Sequence, residues 1–66
     1  MRFTVYTIDG GDIVCDDPDL TFPELRKRLT DNNTDGWLSV RYADRSYTNR
    51  ILIQINHIAK IVEMKG

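Results

Sequence analysis

The sequence predicts an α+β domain with elements in the order β-β-α-β-β-β, one curved antiparallel sheet packed against a single helix. Three observations carry that expectation: a two-residue alternation folded about Asp9-Gly10-Gly11-Asp12, a capped amphipathic stretch from Thr21 to Leu29, and an isoleucine-rich segment from Arg50 to Met64 interrupted at Asn56-His57. At 66 residues there is room for one small domain and no second core. A core of this size supplies on the order of 3–5 kcal/mol, so small domains commonly add a disulfide, a metal or a partner chain.

Arg2 to Ile8 is rich in the β-branched and aromatic residues that suit a pleated, half-buried surface, with Phe3 and Val5 on one face and Tyr6 and Ile8 on the other. Asp-Gly and Gly-Gly steps tolerate the positive φ of tight hairpins, so Ile13-Val14-Cys15 is the expected return strand. Thr21-Phe22-Pro23-Glu24 then has the spacing of a capping box. Thr21 is the N-cap, Glu24 reaches back to its backbone N–H, and Pro23 stands where a missing donor costs little. Leu20 and Leu25 occupy the two staple positions. Phe22, Leu25 and Leu29 form the apolar stripe, Arg26, Lys27 and Arg28 lie toward the end that favours cations, and Asp31 to Gly36 stops the helix.

Alternation returns from Trp37 to Ala43, with Leu38, Val40 and Tyr42 facing one way and Trp37, Ser39 and Arg41 the other. A turn at Ala43-Asp44-Arg45-Ser46 leads to a strand resuming near Tyr47 or Thr48. Ile51, Ile53 and Ile55 share a face, with Leu52 and Gln54 opposite. The period changes at Asn56, a residue suited to the left-handed conformation or to capping a turn with its side chain. Asn56-His57-Ile58-Ala59 reads as a one-turn reversal before a final strand from Lys60 to Met64, and the alternative for residues 57–65 is a helix with Ile55, Ile58, Ala59 and Val62 inward. The expected core is Phe3, Val5, Ile13, Leu20, Leu25, Leu29, Leu38, Val40, Ile53, Ile55, Ile58 and Ile61.

The net charge of −1 conceals an uneven distribution: residues 1–20 carry one arginine against five aspartates, and residues 21–66 carry eight basic against five acidic side chains. Near-neutral net charge argues against general nucleic-acid affinity. Cys15 is the only cysteine, which excludes an internal disulfide and suits a reducing cytoplasm. The opening Met1-Arg2-Phe3-Thr4 lacks the apolar core of a signal peptide, and no apolar run approaches the ~20 residues of a membrane span.

No constellation of catalytic or metal-ligating residues is legible. The aspartates from Asp9 to Asp19 lack calcium-loop spacing, and each has a turn or pre-helix role. His57 has no second ligand nearby. Cys15 lies beside Asp16 and Asp17, the opposite of the electropositive setting that activates a thiol. The expectation is therefore a non-enzymatic protein with no cofactor and no metal. One segment stands out. Arginine and tyrosine interleave from Arg41 to Arg50, and these residue types are enriched at protein interfaces. Trp37, Arg41, Arg45, Tyr47 and Arg50 are the candidate partner-binding residues, for a protein partner or a second copy. The alternative ligand is single-stranded nucleic acid, which such side chains contact through phosphates and stacked bases.

Ile55-Asn56-His57-Ile58-Ala59-Lys60-Ile61-Val62-Glu63 resembles the endings of short single-domain proteins of Gram-positive bacteria and their phages. Those also open with a glycine-turn hairpin followed by one helix, as Thr7 to Gly11 and Leu20 to Leu29 do here. The short turn before a last strand is similar to that of Sm-like and other small SH3-type barrels, although Sm-like proteins carry their helix at the N-terminus. The resemblance implies a small binding domain, of phage or mobile-element origin, and carries over no functional residue.

Overall fold

The computed structural model describes residues 1–31, 36–43 and 49–64. Five strands and one helix follow the expected order: β1 (Arg2–Thr7), β2 (Asp12–Asp16), α1 (Phe22–Asp31), β3 (Trp37–Arg41), β4 (Arg50–Gln54), a 3₁₀ turn (Ile55–His57) and β5 (Ile58–Met64). β1 lies between β2 and β5, β3 pairs with β4, and every pairing is antiparallel. The two ladders join through the Cys15–Tyr42 bridge and the Ala43 N–H, which donates to the Val14 carbonyl at 3.1 Å. The β3–β4 ladder continues one pair beyond its strands, where the Ile55 N–H donates to the Gly36 carbonyl at 3.0 Å.

The first hairpin turns on its glycines. Gly10 has φ +92°, which a side-chain-bearing residue resists, and its N–H closes the turn onto the Thr7 carbonyl at 3.1 Å. A Cβ on Gly11 would lie 2.9 Å from Thr7 Oγ1. That hydroxyl is already engaged with the Asp9 carboxylate and the Gly11 carbonyl.

α1 starts where its cap residues place it. The Glu24 N–H donates to Thr21 Oγ1 at 3.3 Å, and the Leu25 N–H to the Thr21 carbonyl at 2.9 Å. The reciprocal half of the expected box does not form; the Glu24 carboxylate instead lies 3.9 Å from Arg28 Nε, one helical turn on. Leu20 and Leu25 are both buried. Phe22 departs from the expected stripe: it is 38% exposed, because Leu20 occupies the core at that end and leaves the first helical residue at the rim.

Phe3, Val5, Cys15, Leu20, Leu25, Leu38, Val40 and Ile53 form one buried cluster, with Ile13, Leu29, Ile51, Ile55, Ile58 and Ile61 packed against it. All twelve expected core residues belong to this set. Cys15 was expected in a strand as a small apolar residue, and it joins them fully buried.

The end of the chain is a turn and a strand, so the helical alternative for residues 57–65 does not apply to the described positions 58–64. Asn56 departs from expectation. It lies inside the 3₁₀ turn, whose dihedrals are right-handed, and no side-chain hydrogen bond caps the turn. Backbone does the work instead. The Ile58 N–H closes onto the Ile55 carbonyl, and the Ile8 N–H donates to the His57 carbonyl at 2.9 Å. Beyond it, the β1–β5 register jumps from Thr7↔Ile58 to Tyr6↔Lys60, so Ala59 is an extra residue. The bulge reverses the alternation, and Ile58 and Ile61, three apart, both pack against the core. Among the described residues no helix is long and apolar enough to cross a membrane.

Thr21→Ala removes the side-chain N-cap of α1 and should cost about 1 kcal/mol, read as a lower denaturant midpoint at unchanged slope.

Candidate functional site

Strand pairing brings the candidate residues together. Directly opposed residues of an antiparallel pair project from the same side of the sheet, and Trp37 pairs with Gln54, Ser39 with Leu52, and Arg41 with Arg50. Leu38, Val40 and Ile53 fill the inner face, so these six residues make the outer one. Trp37 is 55% exposed and Leu52 64%, far more than their apolar surface favours. Arg41 is half-buried and Arg50 exposed.

The arginine pair is electrostatically unusual. Like charges directly opposed across a ladder repel. No outward position of β3 or β4 carries an acid, and among the described residues the one ion pair is Glu24–Arg28, on the helix. The face thus combines an aromatic ring, an aliphatic side chain and two cations that an anionic group would bring into balance. Of the five sequence candidates, Trp37, Arg41 and Arg50 share this face, while Arg45 and Tyr47 lie outside the described residues. The sequence reading missed Leu52. The signal was present, since alternation already put it opposite the three isoleucines, but only the ladder sets it between Trp37 and the arginines.

The remaining reactive groups have structural roles. Among the described residues no three His, Cys, Asp or Glu side chains converge where a metal ion could sit. Asp9 is engaged by the Thr7 hydroxyl and the Gly11 N–H, which hold its carboxyl below the usual range. Asp17 is buried at the entry to the helix. Its carboxylate accepts the Asp19 N–H at 3.2 Å and its carbonyl accepts the Leu20 N–H at 3.2 Å. His57 is exposed and contributes its carbonyl to the turn. Burial, with the charge of Asp17 adding to it, pushes the Cys15 thiol up to about 11, so at neutral pH it remains protonated and poorly nucleophilic.

The chain matches no protein-family model, no curated protein and no solved structure.

The Cys15 thiol makes stability depend on alkaline pH. The unfolded chain loses this proton near 9 while the folded chain keeps it to about 11. Its contribution is therefore complete below pH 9 and declines as pH rises through 11. Cys15→Ala should flatten the alkaline limb of stability against pH, measured by urea titrations between pH 8 and 10.5.

Proposed function

We propose that this chain is a small non-enzymatic interaction module that binds a protein partner, or a second copy of itself, and that the outer face of β3–β4 is its partner-binding surface. The observation that carries the reading is the joint exposure of Trp37 and Leu52 beside the Arg41–Arg50 pair. Tryptophan and arginine dominate the energetics of protein interfaces, and apolar side chains held out of a rigid ladder lose little entropy on contact. A cytoplasmic setting accords with the lone buried thiol of Cys15. The strand order β2-β1-β5, the bridge from β2 to β3 and the 3₁₀ turn between β4 and β5 support a likeness to small SH3-type barrels. The helix inserted between β2 and β3 is the departure. The phage or mobile-element origin rests on the resemblance of the chain's ending alone.

A second reading has its own observation. Opposed arginines, with no acid at the described outward positions of β3 and β4, suit the phosphates of a single-stranded nucleic acid, for which Trp37 offers a stacking surface.

Trp37→Ser with Leu52→Ser should leave the fold stable, since both side chains are mainly exposed, and should release the proteins that the tagged wild-type chain retains from its host cytoplasm. Quantitative comparison of the two eluates decides; an identical retained set overturns the surface assignment.

For the second reading, fluorescence anisotropy with a labelled oligothymidylate should give binding that weakens steeply with salt. It should be lost in Arg41→Ala/Arg50→Ala. Absence of binding at physiological salt removes nucleic acid as the ligand and leaves the protein reading standing.

A further inference from the structure

The β2-β1-β5 sheet has an outer face of its own, and its composition follows from two registers. Across β1, Arg2 is flanked by Asp16 and Met64, Thr4 by Val14 and Val62, and Tyr6 by Asp12 and Lys60. Thr4 is 7% exposed although it projects away from the core, with its hydroxyl donating to Met64 Sδ at 3.2 Å. Val14, Val62 and Met64 are 38%, 45% and 44% exposed around it. The centre of the face is apolar. Its charges are arranged by strand, with Asp12 and Asp16 on β2, Arg2 on β1 and Lys60 on β5.

We propose that this face is a homodimer contact, in which the sheets of two copies pack face to face about a two-fold axis parallel to β1. Such an axis exchanges the β2 and β5 sides at constant height along the strands. It sets Asp12 of one copy over Lys60 of the other, twice, and Val14 over Val62, twice; Thr4 meets its own mate at the centre. Arg2 also falls over its own mate, a like-charge contact that the Asp16 of each facing copy flanks and offsets, while Asp16 itself falls over Met64. The in-plane axis perpendicular to the strands is disfavoured, because it stacks Asp12 over Asp16. Charge complementarity therefore selects both the occupant and its orientation. Within one copy, Asp12 and Lys60 stand on either side of β1, about 9–10 Å apart by strand spacing, beyond a direct ion pair. Lys60 Nζ sits 4.8 Å from the centre of the Tyr6 ring, which holds it on this face. The three strands span roughly 14 by 17 Å, so the contact belongs among small, weak interfaces.

This goes beyond the partner-binding reading of β3–β4, using a different face and surviving its failure. The test is sedimentation equilibrium of the intact chain from 10 µM to 1 mM. Wild type should dimerise within that range. Asp12→Lys and Lys60→Asp should each weaken dimerisation by about tenfold or more, because each puts like charges at both symmetric contacts. An equimolar mixture of the two variants should associate again, since every contact then pairs Lys with Asp, and a folding defect cannot produce that recovery. Lys27→Ser, an exposed position on α1 outside both faces, should dimerise as wild type does. A wild type that is monomeric at 1 mM, single variants that dimerise unchanged, or a mixture that stays monomeric would each overturn the proposal.

Discussion

The position of β1 between β2 and β5 is the constraint on which the rest of this protein depends. Its two ladders join residues from opposite ends of the chain, Arg2 to both Asp16 and Met64, so one central strand has its backbone groups engaged on both sides. Phe3 and Val5 become inaccessible as a result, and they are the floor on which Leu25, Leu38, Val40 and Ile53 assemble. The β1–β2 hairpin is local and closes about Gly10, whereas the β1–β5 ladder spans most of the chain and carries a far larger loop-closure cost. Contacts made by Ile58 and Ile61 have to offset that cost.

A single extra residue makes those contacts compatible. Strict alternation along β5 would turn Ile58 and Ile61 to opposite faces. The bulge at Ala59 shifts the phase once, so that the residues before and after it both meet the core. The same shift puts Lys60, Val62 and Met64 on the outer face beside Tyr6 and Thr4. Core packing and the composition of an exposed surface are thus consequences of one register irregularity.

Both sheets spend their inner faces on a shared cluster and leave outer faces with different chemistry. The β3–β4 face has exposed Trp37 and Leu52 beside two arginines. The β2-β1-β5 face is apolar at its centre, with acids and bases separated by strand. A chain this short buries too small a fraction of its surface to conceal every large apolar side chain, and ladder geometry gathers those left outside into patches.

Much of this was legible in the residues themselves, because the signals involved are local. Gly10 marked a turn through its conformational freedom, Thr21 marked a helix start through its side-chain acceptor, and alternation named the inward isoleucines of β4. Asn56 marked the right place for the wrong reason: the chain does reverse there, but backbone bonds from Ile58 and Ile8 hold the turn, and those depend on neighbours far away in sequence. Phe22 fitted the helical stripe and still lies at the rim, because Leu20 had already filled that end of the core. Local chemistry determines which residues start, stop and face inward along each element. Only the tertiary structure decided which strands lie side by side, and that pairing sets Leu52 between Trp37 and the arginines and Asp12 across Tyr6 from Lys60. Periodicity along one strand contains no information about the register of its partner.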